Sequence, residues 1–464
     1  MSALVVPGAI LAAFVLAVAF LDAAVAAALI AALVFTRVPA VLLHSDSIAP
    51  MVLAGVLGAV ASARWRRLDG GRNRRALGFG LAGVTYLAVL ALSYLWASDP
   101  QATASAVQKL ALVIVIAVGF VATLQDTRAL RFATGAIMAG GVFLALLSLH
   151  QVVSAGYHRT YGGFAVAQIE NIVGTTNAYR IGGPFGDPNF FGQLMLLPVA
   201  FGLQRLAAAR SFGRRALATV VVGLCGATVL LTYSRGALIA LIVVLVIWLW
   251  TTPTPRARTL IVVCGVGALL VGSLVLPSAY RERISQVQSV VPGLGSRPGT
   301  TSDDALRGRE SAVIVGLRMF ADHPLGGVGA GNFQSRYLDY AASVGLYRSG
   351  QPLAPHSLVT QVASETGLIG VIAFGSIVVG AFAALRRSRQ DLLAIGQAEN
   401  ARLVAAIRNA LVGYLVASLF LHAAYPQTLW LLLALAWATP QCVRRPRREA
   451  TVLPLKKPGL LTPV

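Results

Sequence analysis

Four residues stand out by type and setting: His356, Arg180, Arg235 and Arg309. His356 follows Pro355 where a long, charge-poor stretch meets an apolar run, and so sits at or near the first turn of a helix. The positive end of a helix dipole disfavours a charged imidazole there. A neutral histidine in that position can accept a proton at physiological pH. The bland alternative is an interfacial histidine that hydrogen-bonds its own loop. Arg235 lies in Leu231-Thr232-Tyr233-Ser234-Arg235-Gly236, a tight turn between two apolar runs. Arg180 lies, with Ile181 between, before a Gly-Gly-Pro-Phe-Gly-Asp-Pro-Asn segment, and Arg309 lies in a predicted helix over Asp303–Asp322. Three guanidinium groups and one imidazole on one face would suit a polyanion next to a proton acceptor, and a diphosphate fits best. The bland alternative for Arg235 is snorkelling to head groups.

Glu365 lies nine residues beyond His356. On a straight helix that places it about 13 Å away and on the opposite face, so it cannot orient the imidazole directly. A carboxylate in an apolar run needs a partner or water, and a role in pinning helices together competes with a chemical one. The run Leu325-Gly326-Gly327-Val328-Gly329-Ala330-Gly331 would serve equally as a phosphate cradle or as a packing turn. Cys225, Cys264 and Cys442 show no metal-ligand or disulfide spacing, and structural roles are expected for them. No metal site is expected.

The elements that must position these residues are membrane helices. The chain has 464 residues, 57% hydrophobic and 12% charged, with a mean hydropathy of +0.74. A soluble domain carries roughly twice that charge. Apolar runs long enough to cross a bilayer recur along the whole length. The expected fold is an all-α polytopic membrane protein, one integrated domain over residues 1–464, with about twelve transmembrane helices. No cleavable signal peptide is expected. The net charge of +21 does not imply nucleic acid, because the basic residues fall in short loops between apolar runs.

Candidate spans fall at about 8–36, 48–64, 77–97, 104–122, 129–153, 188–207, 214–232, 235–251, 258–276, 357–385, 402–422 and 426–440. The basic loops Arg64–Arg75, Arg128–Arg131, Arg205–Arg215, Arg256–Arg258 and Arg386–Arg402, with the tail from Arg444, can all face the cytoplasm under alternate crossing. That is the positive-inside pattern. The first run is long for one span and short for two, with Asp22 in its middle; one span is preferred. The opposite side then receives two large loops, 154–187 and 277–355, the second a subdomain within the membrane domain. In that subdomain Leu306, Val313, Leu317 and Phe320 recur at helical spacing, and Pro324 ends the helix.

Four segments, taken in order, resemble the O-antigen ligase/O-antigen polymerase superfamily of membrane glycosyltransferases. They are Arg180 with Gly183-Pro184-Phe185-Gly186-Asp187-Pro188-Asn189-Phe190-Phe191-Gly192; Thr232-Tyr233-Ser234-Arg235-Gly236-Ala237; Gly308-Arg309 leading to Asp322-His323-Pro324-Leu325-Gly326-Gly327-Val328-Gly329 and Asn332-Phe333; and His356-Ser357 leading to Glu365-Thr366-Gly367-Leu368-Ile369-Gly370. The likeness runs from about residue 180 to 375; the N-terminal third is similar only as apolar spans. The resemblance implies a multi-pass protein of the bacterial inner membrane with its active site on the periplasmic face. It implies a glycan donor on undecaprenyl diphosphate held by Arg180 and Arg235, and an acceptor hydroxyl activated by His356. It implies neither metal nor cofactor. The family's usual His-Asn pair is here His356-Ser357, so a role for that asparagine does not carry over.

The expected activity is therefore inverting glycosyl transfer. The favoured form is an O-antigen ligase of lipopolysaccharide biosynthesis, with lipid A–core as acceptor. The alternative is an O-antigen or exopolysaccharide polymerase, whose acceptor is a second lipid-linked glycan. A secondary transporter also fits the helix count. It would place coupling charges near the midplane in repeated halves, whereas here the suspect charges gather at one face and only Glu365 speaks for it.

Overall fold

A computed structural model describes residues 22–43, 70–173, 176–252, 259, 302–345, 351–421 and 426–443. Within it, side chains of 70–75, 170–178 and 302–307 are not described. The expected spans at 48–64 and 258–276, the basic tail and Cys264 lie outside the described residues, Thr259 apart.

The chain is an all-α polytopic membrane protein. Its described helices are α1 (Ala23–Thr36), α2 (Val38–Leu43), α3 (Gly70–Leu92), α4 (Pro100–Thr123), α5 (Thr127–Val153), α6 (Pro188–Ala208), α7 (Phe212–Leu231), α8 (Arg235–Thr251), α9 (Ser302–Asp322), α10 (Phe333–Ser343), α11 (Leu358–Ala394), α12 (Ala398–Ser418) and α13 (Gln427–Cys442). Seven are long and apolar enough to cross a membrane, and α1 and α8 are shorter apolar helices. A recurrent local device starts them. Asp99 and Asp187 accept from the first free N–H groups of α4 and α6, and Pro100 and Pro188 follow at the first helical position. There the missing N–H costs nothing and the fixed φ suits the helix. Asp126 and Ser234 cap α5 and α8 in the same way.

α6 is the most enclosed of the seven spans. It packs on α7, α8 and α12, while α11 and α13 pair beside α3 and α4. Trp430 and Tyr86 stack between α13 and α3, with Phe374 of α11 against the tyrosine. Of the apolar run read as one span over 8–36, the described residues begin at Asp22. Its carboxylate accepts from the Ala24 and Val25 N–H groups and pairs with Arg128 at 3.0 Å, so a helix begins at Ala23. Partial burial raises the Asp22 pKa, but those N–H bonds and Arg128 outweigh it and hold the carboxyl below its ordinary value.

The loop 154–187 contains an antiparallel hairpin, β1 (Val166–Val173) and β2 (Thr176–Gly183), in which Arg180 lies opposite Gln168. Its Gly-, Asn- and Tyr-rich composition carries no clear two-residue alternation, which is why sequence pattern missed it. The helix expected over Asp303–Asp322 is present as α9, but with a different inner face. Ala312, Val315 and Met319 are buried against Phe333, Tyr337 and Tyr340 of α10. Val313 and Leu317, half of the expected stripe, are exposed. Both faces of α9 carry apolar residues, so periodicity alone could not choose between them.

Candidate functional site

The turn between α7 and α8 is built to present Arg235. Tyr233 adopts a left-handed φ of 54°, and the Ser234 hydroxyl accepts from the Ala237 N–H. Arg235 is thereby the first residue of α8. Arg180 clamps this turn from the hairpin. It is 3% exposed, its Nε donates to the Thr232 carbonyl at 2.9 Å, and its Nη2 reaches Asn189 Oδ1 at 3.4 Å. Asn189 belongs to the first turn of α6, which Asp187 caps. The Gly-Gly-Pro-Phe-Gly-Asp-Pro-Asn segment is thus the joint that sets hairpin, α6 and α8 at one end of the bundle.

The structure gathers the three arginines. The charges of Arg309 and Arg180 both act on Arg235. Among the described residues, the buried Arg235 Nη1 has no hydrogen-bond partner. An unsatisfied enclosed donor on a guanidinium under the influence of two like charges is unfavourable unless an anion completes it. The helix that carries Arg309 also meets the histidine loop. Gly308 lies against Leu353, with 3.6 Å between the Leu353 side chain and the place a Cβ would occupy. His356 follows three residues on. It is half-buried and has a left-handed φ of 49°, an unfavourable conformation for a residue with a Cβ. Ser357 caps α11, so His356 sits just before the helix rather than in its first turn.

The Glu365-Thr366-Gly367 segment and the Gly-rich run form one structure. α11 breaks at Gly367, whose φ of 62° and ψ of −163° are accessible essentially to glycine alone. The break frees backbone groups, and the Gly-rich run takes them. Val328 and Gly329 N–H donate to the Ser364 and Glu365 carbonyls at 2.8 and 3.0 Å; Leu368 and Ile369 N–H donate to the Pro324 and Leu325 carbonyls at 2.8 and 3.2 Å. The glycines there serve backbone approach: a Cβ on Gly327 would lie 2.4 Å from the Glu365 carbonyl carbon. Glu365 itself is 3% exposed and acts electrostatically on Tyr86 of α3.

Two further residues complete this end. Asn332 Oδ1 accepts from the Ser98 hydroxyl and Asp99 N–H, while its Nδ2 lies within 3.2 Å of the Asp99 carbonyl, Thr103 Oγ1 and the Ala330 carbonyl. It staples the Gly-rich run to the start of α4. Arg37, beyond α1, donates to the Pro184 carbonyl at 3.3 Å and stands 4.5 Å from the centre of the Phe185 ring. A cleft of about 410 Å³ opens beside it, with Thr160, Gly163 and Val166 on its walls. An arginine at the far end of the first span, against the positive-inside trend, was the signal for it. No group of three or more metal-ligating side chains occurs among the described residues.

Fold and site first define a class: a multi-pass helical membrane protein with clustered guanidinium groups and a strained histidine loop at one end. Residues 220–375, about a third of the chain, match the family model described as O-antigen ligase, which supports placing the chain in the O-antigen ligase/polymerase superfamily. Arg235, Arg309 and His356 fall inside the matched segment and Arg180 outside it. No curated protein matches the chain.

Proposed function

We propose that the chain catalyses inverting glycosyl transfer at the periplasmic face of the bacterial inner membrane. The donor is a glycan on undecaprenyl diphosphate. The match of residues 220–375 to the family model described as O-antigen ligase supports ligase- or polymerase-type transfer in general. The observation that carries the finer reading is the half-buried Arg235, whose enclosed Nη1 is unsatisfied and on which the charges of Arg180 and Arg309 act.

In this reading His356 takes the proton from an acceptor hydroxyl. The acceptor oxygen attacks the anomeric carbon from the side opposite the diphosphate. The bond to the diphosphate oxygen breaks, and the departing charge is held by Arg235 and Arg309. Arg180 contributes positive charge and, through the Thr232 carbonyl, holds the turn that aims Arg235. Charge-assisted bonds that strengthen as the leaving group departs lower the barrier directly.

The acceptor we propose is lipid A–core, which makes the protein an O-antigen ligase. Surface polysaccharide from a deletion strain tests this choice. A ligase leaves long chains accumulating on the lipid carrier. Lipid A–core capped with a single repeat would identify a polymerase instead.

A further inference from the structure

At the end opposite His356, two adjoining cavities open, one of about 340 Å³ between α11 and α12 and one of about 220 Å³ between these helices and the ends of α6 and α8. Both are lined by Arg389 and Arg408; Arg386 lines the larger and Arg402 the smaller. Phe382 and Leu385 supply an apolar wall to the larger. Four guanidinium groups therefore surround one hollow. Among the described residues none of the four forms a salt bridge or hydrogen bond with the chain. Instead the charge of Arg389 acts on Arg408, a repulsion. Glu399, at the same end, acts on Arg205.

Depth separates this cluster from an ordinary basic loop. Arg408 lies ten residues inside α12, about 15 Å along its axis, in a helix apolar enough to span a membrane. A charge at such a position is costly unless it faces a partner or a wet cavity. A soluble anion would satisfy the rim arginines but has no use for an aromatic and aliphatic wall. An amphiphile with a phosphate head uses both.

We propose that this hollow binds the phosphate of an anionic phospholipid from the leaflet at the basic end, with an acyl chain along Phe382 and Leu385. Basic pockets between spans on the cytoplasmic side are suited to such head groups. The site is independent of the transfer chemistry at the other end.

Native mass spectrometry of the full chain, titrated with phosphatidylglycerol, phosphatidylcholine or inorganic phosphate, tests the site. Retention of phosphatidylglycerol over phosphatidylcholine is expected, with about fivefold weaker binding for each arginine removed in Arg389→Gln and Arg408→Gln. Should Arg408→Gln fail to fold, Arg386→Gln combined with Arg389→Gln, both at exposed positions, carries the same prediction. Equal retention of the two lipids, or unchanged binding in the variants, would overturn the proposal. Displacement of phosphatidylglycerol by inorganic phosphate at matched concentration would assign the hollow to a soluble anion and overturn it as well.

Discussion

Arg235 is the residue on which the proposed chemistry turns, and its surroundings make sharp demands. A guanidinium can hold two oxygens of a diphosphate in one plane, whereas an ammonium holds a point. Arg235→Lys is therefore expected to lower kcat/KM by about a hundredfold despite keeping the charge, as measured with purified protein and a lipid-diphosphate donor. Arg180→Ala should behave differently. It removes the bond to the Thr232 carbonyl from a buried position, and a stability loss of about 1–3 kcal/mol, read as a lower melting temperature, should accompany the loss of activity. Arginines on the non-basic side were visible in the sequence because they run against the charge rule for loops. Their mutual approach was not, since it depends on a hairpin and a helix joint between residues far apart in the chain. His356 was likewise legible, but its left-handed backbone was not, because nothing in Pro355-His356-Ser357 requires it.

At the scale of elements, the break in α11 is the main device. Gly367→Ala places a Cβ where the Leu325 carbonyl oxygen is 2.3 Å away and forces a backbone region that alanine avoids. A stability loss of about 2–4 kcal/mol is expected, read as a lower melting temperature in detergent. Asn332→Ala should cost a similar amount by removing the staple between the Gly-rich run and α4. Limited proteolysis should then cut within 324–345 faster than in the parent. Helices were legible from apolar length. The inner face of α9 was not, because Val313 and Leu317 match the helical period as well as Val315 and Met319 do. The Gly-rich run could be read equally as cradle or packing turn until the broken helix that it repairs was seen.

Across the whole molecule, the two ends are chemically distinct. One carries the hairpin, the α7–α8 turn, α9 and the His356 loop; the other carries Arg128, Arg131, Arg205, Arg386, Arg389 and Arg402. Alternation of basic and non-basic loops predicted this division, and residue spacing alone sufficed for it. The boundary at Asp22 was not legible as a helix start, since its ion pair with Arg128 joins segments about a hundred residues apart. Cysteines placed at exposed Gln351 and Arg387 should react with an impermeant maleimide from opposite sides of sealed vesicles. The central claim is that the arginine cluster and His356 serve one transfer reaction, and single-turnover transfer from a lipid-diphosphate glycan by purified protein tests it most directly. His356→Ala should still bind the donor while the transfer step slows by about 10²–10⁴, and Arg235→Ala should lose donor binding. Transfer at the parent rate in either variant would contradict the account.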